Sequence, residues 1–587
     1  MDKTKYCSSF TEFHRRPTQE VHIGNLTIGG DKPIALQSMT NFRPLETEGN
    51  IEQSIRIIEA GAHLVRLTAP TAKDAENLRN IKAGLEARGY NQPLVADIHF
   101  NPGAAMEAAR WVEKVRINPG NFAEANKTKV EYTEDEYAEA LQKIREKFAP
   151  LVEYSKENKV AMRIGSNHGS LSQRIMSRHG DTPEGMVEAA MEYLRMAVEM
   201  NYFDIVVSMK ASNIRVMVYA YRLLVHRMAE ENMHFPIHLG VTEAGNEEDG
   251  IIKSAAGNGA LLYDGIGDTI RVSLTDEPEN EIPIAREIVD YAATFGNHPA
   301  IDPVEKWPLN PYDYAKREVN QVKIFGGKNV PAVIGYDVEI VSEYELKVLH
   351  KKYDIIHADE NLESYLSESF NFVQFDIASL KASLPFLKTN KKPMVMLFTS
   401  ENNNWATEIR RMFIYLIDNN IKWPVIVKRH YDEPNKERFI VRASMDMGGA
   451  FIDGLADGIW VENPHFDREY LNNFGLSLLQ ASRTRFSRTD FISCPSCGRT
   501  LFDLQEATSR IKAATGHLTG LKIGIMGCIV NGPGEMADAD YGYVGSAPGH
   551  INLYKGREVI RKNVPQDNAV AELIELIKEN GDWMEKG

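Results

Sequence analysis

From residue 33 to about 275 the chain repeats one pattern eight times. A short β-branched run ends in polar or charged residues, and an amphipathic stretch with apolar positions three and four apart follows. The runs are "PIALQSMTN" (33–41), "HLVRLTAP" (63–70), "PLVADIHF" (93–100), "KVRINPGN" (114–121), "VAMRIGSNHG" (160–169), "DIVVSMKAS" (204–212), "PIHLGVTEAG" (236–245) and "DTIRVSLTDEP" (268–278). Eight βα units over about 250 residues predict an α/β fold of the (β/α)8 TIM-barrel type. A doubly wound sheet would need a glycine-rich dinucleotide loop after its first strand, and none is present.

In a barrel of this kind the functional site lies at the C-terminal ends of the strands. Arg66, Arg116, Arg163, Lys210 and Arg271 come from five of those ends. Taken singly, each reads as a salt-bridged or solvated strand-end residue. Five at one mouth would repel one another, so a polyanionic ligand such as a diphosphate is expected to hold them. Asn118, Asn167, Thr242 and Ser273 add hydrogen-bonding groups at the same ends. Asp97, His99 and Glu243 are the titratable candidates; Glu243 is the preferred acid, and Asp97 and His99 serve equally well to orient an arginine.

After a proline- and aromatic-containing stretch (287–318) new βα patterning begins and runs to about 485. Within it "RASMDMGGAFIDGLADGIWVEN" (442–463) aligns without gaps to "KSAAGNGALLYDGIGDTIRVSL" (253–274). Gly259 matches Gly448, Gly265 matches Gly454 and Asp268 matches Asp457, whereas Arg271 becomes Trp460 and Ser273 becomes Glu462. The segment reads as a degenerate copy of the barrel's last units with a structural role. The expected domains are a substrate-binding barrel (1–290), an inserted barrel-like α/β domain (291–485) and a small α/β domain (486–587).

That last domain carries "CPSC" and "GCIVNGPGE", and so three of the four cysteines: Cys494, Cys497 and Cys528. So few cysteines make no disulfide framework, and CxxC in such a chain points to metal or redox chemistry. A zinc site would need a fourth ligand such as His550 or Glu535; a 4Fe-4S cluster on three thiolates and one oxygen would leave one iron open to substrate. Cys7 stands alone near a polar N-terminus. A formal charge of −15 argues against a broad nucleic-acid or anionic-membrane surface, and no apolar run reaches the ~18 residues of a membrane span. The first residues lack the apolar core of a signal peptide, so a cytoplasmic location is expected.

Together, "QSMTN", "ADIHF", "RINPGN", "RIGSNHGSL", "LGVTEAG", "KSAAGNGALL", "GIGDTIRVSL", "CPSC" and "GCIVNGPGE" resemble the 4-hydroxy-3-methylbut-2-enyl diphosphate synthase family of the methylerythritol phosphate route to isoprenoids. The likeness covers about 20–290 and 486–587, and the segment between them resembles the extra domain of the long, three-domain members. The resemblance implies a two-electron reduction of 2-C-methyl-D-erythritol 2,4-cyclodiphosphate with loss of water. It implies a 4Fe-4S cluster on Cys494, Cys497, Cys528 and Glu535, and a diphosphate held by Arg66, Arg116, Arg163, Lys210 and Ser273 with Asn167 and Thr242 assisting. Glu243 would face the departing hydroxyl, Asn531 would touch substrate when the domains close, and reduced flavodoxin or ferredoxin would supply electrons to a monomer or homodimer. Two other readings compete: a zinc-dependent barrel transferase of the pterin type, and a cluster-based metabolite sensor that binds without turnover.

Overall fold

The eight runs become eight parallel strands, preceded by a short antiparallel hairpin of β1 (Val21–Ile23) and β2 (Leu26–Ile28). They are β3 (Ala35–Met39), β4 (Leu64–Thr68), β5 (Leu94–Asp97), β6 (Lys114–Ile117), β7 (Ala161–Asn167), β8 (Ile205–Lys210), β9 (His238–Leu239) and β10 (Thr269–Ile270). The strand order is β8-β7-β6-β5-β4-β3-β10-β9, and a parallel bridge between Val207 and Ile237 brings the two ends together into a barrel. The computed structural model describes residues 5–98, 100–124, 131–245, 247–335, 339–341, 355–529, 532–536 and 538–585.

The hairpin plugs the bottom of this barrel. Val21, Ile23 and Ile28 pack on Ala35, Leu64, Val95, Ala161 and Val206, the lowest inward-facing layer. Two residues further along, the inward positions turn polar: Arg66 follows Leu64, Asp97 follows Val95 and Arg163 follows Ala161, with Arg116 paired to Arg163 across β6 and β7. The barrel therefore has a charged upper half and a floor that is apolar apart from Lys114, buried in register with Val95 and Ala161. Burying apolar side chains below stabilises the closed sheet and lets the top carry charge.

The chain falls into two compact units. One comprises Arg16–Ser254, Ile266–Val289 and Arg488–Gly587; the other comprises Met1–Arg15, Ala255–Gly265 and Asp290–Ser487. The first unit thus contains both the barrel and the cysteine-bearing sheet.

The second unit is built on a seven-stranded sheet ordered β12-β11-β17-β16-β15-β14-β13. Its strands are β11 (Ala332–Gly335), β12 (Glu339–Val341), β13 (Ile355–His357), β14 (Asn371–Phe375), β15 (Met394–Phe398), β16 (Val425–His430) and β17 (Gly458–Glu462). All neighbours pair in parallel except β11 with β12. The sequence repeat is visible as geometry. Gly265 and Gly454 both take left-handed φ, +72° and +67°. Asp457 Oδ2 accepts from the backbone N–H of Val425, as Asp268 Oδ2 accepts from that of Ile237. Within this unit a Cβ on Gly259 would fall 2.8 Å from Met445 Cα, and one on Gly448 would fall 2.7 Å from Ala256 Cβ. Since Ala256 aligns with Met445, the two helical segments cross at equivalent glycines. The position matching Arg271 is Trp460, buried under Lys428, whose Nζ lies 4.3 Å from the ring centre and pairs with Glu462. Cys7 also belongs here, buried with its thiol donating to Ser9 O although the N-terminal sequence around it is polar.

The cysteine-bearing sheet is ordered β18-β19-β20-β21-β22. Its strands are β18 (Asp490–Ser493), β19 (Lys522–Met526), β20 (Tyr541–Ala547), β21 (His550–Lys555) and β22 (Glu558–Pro565). β18 to β20 are parallel and the rest antiparallel, and the helices Leu504–Thr515 and Gln566–Glu579 cover one face through Leu504, Ile511, Leu573 and Ile577.

Candidate active site

At the top of the barrel one buried carboxylate organises the arginines. Asp97, at the end of β5, accepts from Arg66 Nη2 at 2.9 Å and from Arg116 Nη1 at 3.0 Å, and is itself fully buried. Arg116 also donates to Gly165 O and Asn167 Oδ1 from its Nη2. Asp97 thus orients two guanidinium groups. Leaving such a carboxylate buried without them would cost about 3–5 kcal/mol. Arg271 is held separately by Glu281, with two hydrogen bonds of 3.1 Å.

Arg163 and Lys210 are different. Arg163 Nε and Nη1 make no hydrogen bond within the protein although the side chain is buried. Burial, reinforced by Arg66 and Arg116, pulls the Arg163 pKa well down, and burial with Arg163, Arg66 and Arg271 does the same to Lys210. Burial likewise pulls Arg66 down to about 10, with Asp97 opposing. These groups are stacked in a low-dielectric mouth whose electrostatics improve when an anion enters. Glycines make the room: a Cβ on Gly165 would sit 3.0 Å from Arg116 Nε, and one on Gly240 2.8 Å from Lys210 Nζ. Glycine inside a strand run is a legible signal of such close approach.

Glu243 follows β9 with φ +48°, a left-handed conformation that an ordinary side chain adopts at a cost and that recurs at functional sites. Its neighbour Ala244 forms a parallel bridge to Ser493, the residue before Cys494. Thr275 Oγ1 bonds to Ser493 Oγ at 3.0 Å and donates to Cys494 O at 3.1 Å. The barrel loop bearing Glu243 and the strand leading to the cysteines are therefore joined next to both. Three further contacts seat the sheet on the barrel. Lys253 Nζ pairs with the buried Asp490 at 3.0 Å; a Cβ on Gly498 would lie 2.4 Å from Phe42 O; and one on Gly169, at φ +77°, would lie 1.8 Å from Gly534 O.

Between them is a cleft of about 70 Å³. It is lined by Arg66, Arg116, Arg163, Asn167, Lys210, Thr242, Glu243 and Ser273 from the barrel and by Cys494, Cys497 and Cys528 from the sheet. Of the sequence-predicted binding residues with described side chains, Asn118 alone does not line this cleft; it is buried, its Oδ1 accepting from Gly120 N–H at 3.1 Å. Arg271 lines it too, although it was not among the diphosphate ligands that the resemblance implied. Arg499 and Thr500 also line it and were missed; "CPSCGRT" drew the eye to its thiols and away from the arginine between them and the barrel. Asn531, His99 and the Glu535 side chain lie outside the described residues, the Glu535 backbone closing the short helix Gly532–Glu535.

The cysteines suit a soft metal group. Gly527 N–H donates to Cys494 Sγ at 3.3 Å, the kind of bond that favours a sulfur anion. Burial pushes the Cys494 thiol well up, and the neighbouring Cys497 and Cys528 push it further, so Cys494 would be held as a thiolate only against a bound cation. Ser496, between the first two cysteines, takes φ +65°, and Thr500 N–H donates to Cys497 O at 2.9 Å, fixing the turn. Among the described residues no three His, Cys, Asp or Glu side chains converge on one ion position.

Comparison with known proteins places the chain. The family model described as GcpE TIM-barrel domain matches residues 18–286, and that described as GcpE protein C-terminal domain matches 490–579. A protein of Phocaeicola vulgatus named 4-hydroxy-3-methylbut-2-en-1-yl diphosphate synthase (flavodoxin) is 48% identical over 609 residues, covering 98% of this chain and 99% of that one. One of the same name from Porphyromonas gingivalis is 46% identical over 584 residues, covering 98% and 99%. A solved Yersinia pestis dihydropteroate synthase is similar at 11% identity and a TM-score of 0.32, over 47% of this chain and 98% of that one, a likeness too slight to carry an argument.

Proposed function

The chain belongs to the GcpE family, and from that premise we propose that it is a 4-hydroxy-3-methylbut-2-enyl diphosphate synthase of the methylerythritol phosphate pathway. It opens and dehydrates 2-C-methyl-D-erythritol 2,4-cyclodiphosphate, taking up two electrons and two protons and releasing water. The observation that carries this reading is a single cleft lined by cations suited to a diphosphate on one side and by three cysteines on the other.

In this reading Arg66, Arg116, Arg163, Lys210 and Ser273 bind the diphosphate, with Asn167 and Thr242 assisting. Asp97 holds two of the arginines in place. Glu243 gives a proton to the departing hydroxyl, its strained backbone aiming it at the cleft. Cys494, Cys497, Cys528 and Glu535 hold a 4Fe-4S cluster, and Asn531 contacts substrate. When bound, the cluster supplies electrons and one iron open to act as a Lewis acid on a substrate oxygen. Seating the sheet on the barrel excludes water from the cleft. The flavodoxin in the relatives' names supports flavodoxin, or the similar carrier ferredoxin, as electron donor. Among the described residues no helix is long and apolar enough to cross a membrane, and a cytoplasmic location is part of the proposal. So are the three domains at 1–290, 291–485 and 486–587.

The zinc transferase and the sensor give way to the end-to-end match with named synthases. Anaerobic purification tests the proposal directly. A brown, oxygen-labile protein containing iron and sulfide and turning over the cyclodiphosphate with reductant is expected. A colourless protein with one zinc, or a cluster protein that binds without turnover, refutes it. In Glu535→Cys the iron content and visible absorption are expected to persist while turnover falls by at least about 100-fold, the scale of losing a Lewis-acid contact of several kcal/mol.

A further inference from the structure

Arg499 lies two residues beyond Cys497, on the loop that carries the thiols, yet its guanidinium reaches the barrel. Arg499 Nη1 is 3.7 Å from Asp97 Oδ2, and the side chain is only 11% exposed. The loop path explains how. Gly498 passes so close to Phe42 O that any Cβ would collide with it, and the Cys497–Thr500 turn is locked by backbone and side-chain bonds. The residue after that glycine is delivered to the mouth only while the sheet sits on the barrel.

We propose that Arg499 is a substrate-binding residue: the cysteine-bearing sheet uses it to place a sixth cation against the anionic diphosphate, and so senses the ligand at closure. This rests on the diphosphate reading above. Among the described residues lining the cleft, Arg66, Arg116, Arg163, Lys210, Arg271 and Arg499 are cationic and Glu243 alone is acidic. Asp97 has already accepted close hydrogen bonds from Arg66 and Arg116, at 2.9 and 3.0 Å. The 3.7 Å contact to Arg499 is an ion pair longer than either, one that steadies the guanidinium and still lets its other edge meet a phosphate oxygen. A guanidinium fork has the shape for both at once, which an ammonium lacks. The same side chain then touches the barrel's organising carboxylate, the substrate and the loop of the cysteines. An anion bound by the five barrel cations draws the sheet down through Arg499, so binding and assembly of the reacting centre become one event.

Isothermal titration of the anaerobic holoenzyme with 2-C-methyl-D-erythritol 2,4-cyclodiphosphate, without reductant, tests this. Arg499→Met is expected to raise Kd by roughly 10- to 100-fold, the effect of one charge-assisted hydrogen bond, with the cluster's visible absorption unchanged. Arg499→Lys should recover part of that loss. If Arg499→Met does not hold its cluster, Arg499→Gln carries the same expectation. Neutral variants that bind as tightly as the wild type, or a lysine that recovers nothing, overturn the proposal. Wild-type protein that fails to bind the cyclodiphosphate at all refutes the functional reading instead, so the two failures are told apart.

Discussion

Lys210 shows how a single side chain links protonation to ligand binding. Its ammonium is buried beside Arg163, Arg66, Arg271 and Arg116, and its pKa falls well below the usual lysine range, burial being the largest cause. A bound diphosphate opposes those charges and raises that pKa again. The sign follows. Below the free enzyme's lowered pKa, Lys210 is already charged and affinity is full. As pH rises through the window between the free and bound values, binding must take up a proton and affinity declines. Titration in two buffers of different ionisation heat should therefore show proton uptake in that window, and Lys210→Met should reduce it. Uptake undiminished in Lys210→Met would place the proton elsewhere. Lys210 and Arg163 could be picked out from the sequence because a cation at a strand end stands out against its β-branched run. The carboxylate partner of each arginine could not: Asp97 serves Arg66 and Arg116, whereas Arg271 turns to Glu281, ten residues on. Which acid reaches which base depends on angles around the barrel that spacing does not encode.

Loops and strand ends determine whether the two halves of the cleft meet. The tightest crossing is between the loop after β7 and the helix Gly532–Glu535, where Gly169 and Gly534 leave no room for a side chain on either chain segment. Gly169→Ala would place a Cβ 1.8 Å from Gly534 O. Its backbone strain, about 1–2 kcal/mol, is too small to unfold the barrel, but the clash must push the segments apart. We expect faster amide exchange over 488–500 and a fall in kcat/KM of at least about tenfold, since each 1.4 kcal/mol lost from closure is a factor of ten. Gly89→Ala is the matched control, because Gly89 has φ +88° and nothing within 4 Å of the added carbon. Exchange and kcat/KM equal in the two variants would mean that the crossing does not govern closure. "NHGSL" and "NGPGE" are each visible as glycine-bearing turns. That these two turns face each other across more than three hundred residues is written in neither.

Both walls of the cleft come from one chain. Mixing Arg163→Met with Cys528→Ser should therefore restore no activity, because each molecule keeps one damaged wall. Restored turnover would show that the sheet of one chain serves the barrel of another. Much of the architecture was legible beforehand. Periodicities of two and of three to four residues are local, so the eight βα units and the repeat joining 253–274 to 442–463 could both be read from neighbouring residues. Residue chemistry is local as well, and it marked the cations, Glu243 and the three cysteines. What required the folded molecule was every relation between segments remote in the chain: Asp97 beneath two arginines, Arg499 entering the mouth from the cysteine loop, Cys7 buried, and Ala244 bridged to Ser493. Side-chain pattern dictates which face an element buries, but close packing dictates what it meets there, and that follows from the whole chain at once.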